Sequence, residues 1–259
     1  MMATTRFGSL MACDVSDLIQ TYIYYFGVWE PNLTAFLQRR LRCGDGFIDV
    51  GANIGYFSLL ASTKVGHKGK IVAIEASAKI YGEMVANVLR NNVTNIRMVN
   101  AAASDHHGIV TLYCGAPGNQ GSTTMLNEFG GAGTSRVAAI PFDELLSPEE
   151  LACARIVKID IEGAELPVLE RIWARIRDFR EDIEFVVELD PLAILRAGSS
   201  TDMVIERFRL MGFQCYSLDN EFVLSRYRTT IETVPPTRLR SAIRERGDFV
   251  FSRRTGDSL

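Results

Sequence analysis

The chain is poor in the side chains that most often move protons or hold transition metals. It has three histidines, at 67, 106 and 107. His67 stands in a glycine-rich turn and is expected to face solvent. His106 and His107 follow the third predicted strand of the central sheet. Five cysteines, at 13, 43, 114, 153 and 215, form no C-x-x-C pair. That excludes a zinc ribbon or a disulfide frame and fits reduced thiols. No apolar run approaches the length needed to cross a membrane. The N-terminus lacks a charged-then-apolar signal pattern, so a cytoplasmic protein is expected, with any membrane contact peripheral. A net charge of -3 over 259 residues gives no reason to expect nucleic-acid binding. There are no internal repeats, and no linker is long enough to divide the chain.

What is present is organised around Phe47-Ile48-Asp49-Val50-Gly51-Ala52-Asn53-Ile54-Gly55-Tyr56-Phe57. An apolar run, two glycines and a second apolar run at helical spacing predict a buried strand, a tight turn and a helix start. Unpaired N–H groups at that helix start suit a ligand with a carboxylate or phosphate. A dinucleotide fingerprint needs G-x-G-x-x-G, but Asn53 stands where the second glycine belongs. A side chain there would crowd a pyrophosphate. Asp49 precedes the turn and is placed to reach an ammonium group. Gly51 leaves room against the main chain. Glu75 ends the next apolar strand, 20 residues after Gly55, where an acid that binds ribose is expected. These features favour S-adenosylmethionine over a nicotinamide cofactor. A nicotinamide-dependent oxidoreductase and a non-catalytic nucleoside-binding module are the alternatives.

Residues 14–43 read as two helices, the first capped by Asp14 and ended by Gly27, forming a helical lead-in over residues 1–43. Trp29-Glu30-Pro31 turns the chain into the second. Tyr22, Tyr24, Tyr25 and Trp29 form either packing against the sheet or an aromatic lid. Over 44–259 strands are predicted at 46–50, 70–75, 96–100, 156–160 and 183–189, with helices at 55–64, 78–91, 163–173 and 200–211. This alternation implies a mostly parallel sheet with helices on both faces. Short strands are expected at 108–114 and 136–140, and between them a glycine-rich loop, 115–135, that covers the acceptor. The tail reads as strands 213–218, 221–226 and 247–252, the first two joined at Asp219-Asn220.

The second chemical stretch is Val157-Lys158-Ile159-Asp160-Ile161-Glu162-Gly163-Ala164-Glu165. Asp160 falls at the carboxyl end of a strand, where ligands of open α/β sheets bind. Glu188 occupies the matching place on the next strand. The two carboxylates are a candidate acid/base pair, with Lys158 expected to pair with one of them. Glu165 reads as an ordinary helix start. A metal bridging Asp160, Glu162 and Glu188 would need converging geometry, and no metal is expected.

In order, F-I-D-V-G-A-N-I-G-Y-F-S, I-E-A-S, N-A-A-A-S-D, I-P-F-D-E-L and V-K-I-D-I-E-G-A-E resemble the FkbM-type methyltransferases across roughly residues 28 to 190. The resemblance implies the class I methyltransferase fold, Rossmann-like, with an antiparallel C-terminal strand. It implies O-methylation of a sugar, glycolipid or related natural product. It further implies that Asp49, Gly51, Asn53 and Gly55 surround the methionine part of the cofactor. Glu75 would bind ribose, Ala101 and Ala102 would lie beside adenine, and Asp160 would sit where cofactor and acceptor meet. Eight arginines between 226 and 254, against three acids, give that segment a net charge of +5. A helix over 237–246 would put Arg238, Arg240 and Arg244 on one side, suited to an anionic acceptor or lipid surface.

Overall fold

The computed structural model describes residues 1–113, 135–220, 227 and 233–259. The chain opens with a hairpin, β1 (Met2–Thr4) and β2 (Leu10–Ala12). Helices α1 (Leu18–Phe26) and α2 (Pro31–Arg40) follow. The cap of α1 is Asp17, whose carboxylate accepts from the Gln20 N–H, and not Asp14. Asp14 instead accepts from Ser16 outside the helix. Gly27 ends α1 at φ 67°, in the left-handed region. Pro31 opens α2 at a position where the missing N–H costs nothing.

The alternating region gives β3 (Gly46–Val50), α3 (Tyr56–Val65), β4 (Lys70–Ile74), α4 (Ala78–Arg90) and β5 (Ile96–Val99). A small three-stranded sheet comes next, from β6 (Ala102–Ser104), β7 (Gly108–Leu112) and β8 (Ser135–Pro141). Then follow α5 (Pro148–Cys153), β9 (Ala154–Ile159), α6 (Glu165–Ala174) and β10 (Glu184–Leu189). The remainder is α7 (Pro191–Arg196), α8 (Thr201–Leu210), β11 (Gln214–Leu218), β12 (Thr237–Arg238) and β13 (Gly247–Ser252). The central sheet runs β12-β11-β13-β10-β9-β3-β4-β5. Strands β5, β4, β3, β9 and β10 are parallel, and β13 is antiparallel to both its neighbours. This is the class I methyltransferase arrangement.

Strand alternation sorts the core into two layers. Phe47, Ile71, Ile156 and Val186 face a layer with Leu33, Phe36 and Leu37 of α2 and Leu59 of α3. Ile48, Val72, Val157, Phe185 and Val187 face the other, with Leu169 of α6 and Phe208 of α8. Burying one such Leu or Phe side chain contributes about 1.5–3 kcal/mol. The N-terminal helices therefore share a core with the sheet.

Residues 237–246 are not a helix. Two of them form the edge strand β12, and the rest run irregularly to β13. Arg238 donates to Gln214, while Arg240 pairs with Asp257 at 2.5 Å, so they do not share a helical side with Arg244. Residues 115–134 of the expected loop 115–135, the expected strand 221–226, and Arg226 and Arg228 lie outside the described residues, and Ser135 opens β8. No helix among the described residues is long and apolar enough to cross a membrane.

Candidate active site

The chain steps outward from β3 to β5 and returns to β9 on the other side of β3. That reversal opens a crevice at the carboxyl ends of β3 and β9. A cavity of about 330 Å³ lies there. Gly51 (φ 81°), Asn53 (φ 50°) and Gly55 (φ 87°) carry the turn out of β3. The Gly51 and Ala52 N–H groups donate to Ile74 O at 3.0 and 2.9 Å, tying the turn to β4. A Cβ on Gly51 would stand 1.8 Å from the Asp160 carbonyl oxygen. Glycine is thus required there by the neighbouring loop, and Gly51 also lines the cavity. Gly55 backs onto Met84, where a Cβ would lie 3.1 Å from Cγ. It stands behind the cavity wall.

Glu75 is buried on the wall and holds the turn. Its Oε2 accepts from the Asn53 N–H at 2.9 Å and its Oε1 from the Ser77 N–H at 2.8 Å. Burial pushes its carboxyl up to about 7, although both N–H groups favour the ionised form. Each oxygen keeps capacity for a further donor, such as a ribose hydroxyl. Asn100 fixes the same corner by donating to Glu75 O and Ala76 O. Ala101, Ala102, Ile80 and Leu112 give it an apolar surface fit for adenine.

The other half of the cavity is charged. Asp49 and Lys158 are register partners on neighbouring strands, and alternation points both to the α2–α3 side. Asp49 is fully buried and accepts from Ser58 at 2.6 Å, with Lys158 Nζ 4.0 Å from its Oδ1. It lies under the wall, not on it, which corrects the expectation that it surrounds the methionine part directly. Burial raises its pKa against the pull of Lys158. Lys158 donates to Asp160 Oδ2 at 2.9 Å and lies 5.3 Å from the Phe57 ring centroid. Burial opposes the lysine charge, but Asp160, Asp49 and Glu30 outweigh it and raise the pKa above the ordinary value.

Asp160 lines the cavity in a loop with an abrupt turn, Glu162 at φ 56° and Gly163 at φ 98°. Glu165 fixes that turn by accepting from the Ile161 and Gly163 N–H groups at 3.1 and 3.0 Å. It is buried, and burial lifts its carboxyl to about 7. It is more than the ordinary helix start read from sequence.

Glu188 reaches the cavity beside Asp248, its register partner on β13. Its two oxygens accept from Arg246 at 2.7 Å each, and Arg246 also meets Glu162 at 2.5 Å. Burial, then the Asp160 charge, raises the Glu188 carboxyl, while Arg246 opposes both. Both oxygens of Glu188 are thus engaged by one guanidinium, which a hydroxyl proton would have to displace. Burial and Asp160 lift Asp248 to about 6, and the Asn220 bond opposes them.

Sequence reasoning missed Glu30 and Arg246 as cavity residues. Trp29 also lines the cavity, while Tyr22 is packed among Phe26, Trp29 and Tyr227, and Tyr25 faces solvent. His67, His106 and His107 are exposed and not on the wall. Among the described residues no three or more His, Cys, Asp or Glu side chains are grouped to hold a metal ion.

Residues 49–215 match the model of the methyltransferase FkbM domain, well over half of the chain. The chain belongs to the FkbM methyltransferase family. It is 24% identical over 198 residues to the hexuronic acid methyltransferase AglP of Haloferax volcanii, covering 76% of this chain and 77% of that one. It is 27% identical over 164 residues to the methyltransferase sdnD of Sordaria araneosa, covering 51% of this chain and 63% of that one. Among solved structures it is similar to a SAM-dependent methyltransferase from Aquifex aeolicus (TM-score 0.48, 10% identity, 92% and 94% covered). It is also similar to the putative methyltransferase SMU.1697c of Streptococcus mutans in complex with SAH (TM-score 0.46, 9% identity, 85% and 95% covered). This FkbM methyltransferase uses S-adenosylmethionine. Its cavity is lined by a buried carboxyl, Glu75, an apolar corner at Ala101 and Ala102, and Glu30, whose Oε2 has no hydrogen-bond partner among the described residues.

Proposed function

We propose that the enzyme methylates a hydroxyl oxygen of a sugar, glycolipid or related natural product, with Asp160 receiving the proton. The observation that carries this is the Lys158–Asp160 pair at 2.9 Å, opening on the cavity at the end of β9 where no histidine is present. S-adenosylmethionine, when bound, supplies a methyl group made electrophilic by its sulfonium. The protein then has to align an oxygen and exclude water. Ile54, Phe57 and Ile161 provide apolar wall, and Lys158 holds Asp160 in one orientation. A carboxylate so held is placed to accept a proton from an attacking hydroxyl. The activity of AglP on a hexuronic acid supports a sugar acceptor. Arg246, Glu162 and Glu188 form the polar rim that such an acceptor would meet. Contact with an anionic lipid surface through the basic tail gains no support from Arg240, which is already paired with Asp257.

The test is a panel of free sugars, uronic acids and glycolipids, with S-adenosylhomocysteine formation as the readout and the methylated position assigned by NMR. Asp160→Asn is expected to lower turnover about 10²- to 10⁴-fold while leaving S-adenosylhomocysteine affinity within a few-fold. Methylation confined to nitrogen or carbon acceptors would defeat the reading. So would full turnover in the variant.

A further inference from the structure

Glu30 is strained and buried. It precedes α2 at φ 42° and ψ 74°, a left-handed conformation that side-chain residues seldom adopt. It is 7% exposed and lines the cavity. Its Oε2 has no hydrogen-bond partner among the described residues. Leaving a carboxyl oxygen buried and unbonded is unfavourable, as is the backbone strain. Both penalties fall on one residue at the wall of the cofactor cavity.

Its surroundings say what belongs there. Asp248 at the start of β13 and Asp160 beyond β9 act on Glu30 as like charges, and Lys158 of β9 is the cation that opposes them. Trp29 gives it a hydrogen bond, and Tyr56 of α3 and Tyr227 feel its charge. A cation arriving beside these acids would let Glu30 ionise. Glu30 lines the cavity together with Asn53 and Tyr56. Asp49, the acid first expected to meet the ammonium group, also has a buried oxygen without a hydrogen bond among the described residues, 4.0 Å from Lys158 Nζ, but it does not line the cavity.

The geometry points to Glu30 as the carboxylate that receives the ammonium group of the cofactor's methionine part. This rests on the cofactor and is independent of the acceptor. Burial first, then Asp248 and Asp160, keeps the empty-site Glu30 carboxyl protonated well above the usual carboxylate range. An arriving ammonium favours the ionised form, so binding shifts Glu30 towards losing its proton. Affinity accordingly rises with pH until the empty-site carboxyl ionises by itself.

The experiment is calorimetry on the full chain with S-adenosylhomocysteine, its deamino analogue and methylthioadenosine, in two buffers of different ionisation heat. The wild type should release about one more proton with S-adenosylhomocysteine than with the deamino analogue. Glu30→Gln should weaken S-adenosylhomocysteine about tenfold or more and leave the other two ligands within about twofold. Equal proton release for the first two ligands in the wild type would overturn the proposal without recourse to any variant. Equal weakening of all three ligands by Glu30→Gln would also overturn it, since Glu30 would then only shape the fold. A wild type that binds none of the three would overturn the cofactor assignment itself.

Discussion

The wall that carries Gly51, Asn53, Glu75 and Ala101 comes from residues 46–103, where each strand end runs into the next turn. The opposite wall takes Glu30, Asp160, Glu188 and Arg246 from four segments far apart in the chain. The first is held by backbone hydrogen bonds, the Asn53 and Ser77 N–H groups on Glu75 and the Gly51 N–H on Ile74. The second is held by charges, with Lys158 and Arg246 among five carboxyls. A backbone frame fixes a shape that every ligand meets alike. A balance of charges can be retuned by one substitution.

The sharpest break in this comparison is at Gly51, where the two walls touch. Gly51→Ala would put a Cβ 1.8 Å from Asp160 O at a φ of 81°. Backbone must move on both sides, so we expect a loss of about 3 kcal/mol or more in unfolding free energy. S-adenosylhomocysteine binding and turnover should fall together. Retained stability with binding alone lost would return Gly51 to the ligand.

Next in size is Glu75→Ala. It removes the acceptor for two backbone N–H groups and a ribose partner, and is expected to weaken S-adenosylhomocysteine by about 2–4 kcal/mol. Calorimetry on a variant shown to be folded decides this. Unchanged affinity would confine Glu75 to holding the turn.

Legibility in the sequence follows the same division. β3, the glycine turn, α3 and Glu75 are contiguous, so periodicity and spacing reveal them. The hairpin β1–β2 escaped because strands of three residues have no period to read. Asp14 and Asp17 are equally good caps by type, and only the first helical N–H groups choose between them. α5 had a signal that went unread: Ser147 and Glu150 form a capping box ahead of Leu151. Arg246 had none. Its place depends on β13 lying beside β10, a pairing across about sixty residues that no local pattern encodes. Glu30 was visible only as the middle of Trp29-Glu30-Pro31, with no hint of burial.

One effect of pH is common to both walls. Glu75 and Glu165 both have carboxyls lifted to about 7 by burial, above the 4.5 of an exposed glutamate. The folded state therefore holds these protons more tightly than the unfolded chain. Their contribution is most favourable below pH 4.5 and is lost as pH rises from there to 7. Each contributes on the order of 1–3 kcal/mol to that fall. Urea unfolding of the ligand-free protein at pH 5 and 7.5 should show lower stability at the higher value. Glu165→Gln should shrink the difference. A difference of opposite sign would mean that both carboxyls are ionised throughout.

The smallest effects separate arginines that composition cannot. Arg246 bonds Glu188 twice and Glu162 once at the cavity rim. Arg246→Gln leaves those acids facing Asp160 without their counter-charge. Turnover should fall about tenfold, with little change in S-adenosylhomocysteine affinity, because the backbone-held wall is untouched. Arg240 instead pairs with Asp257 where both are exposed, and such pairs contribute roughly 0–1 kcal/mol. Arg240→Gln should leave turnover unchanged and move the unfolding midpoint by about a degree or less, an effect that salt should erase. If Arg240→Gln lowered turnover as far as Arg246→Gln, the charged wall would extend along the whole basic segment. Its selectivity would then come from net positive charge. A clear difference between the two variants would instead place the control of the acceptor in the single guanidinium that spans Glu162 and Glu188.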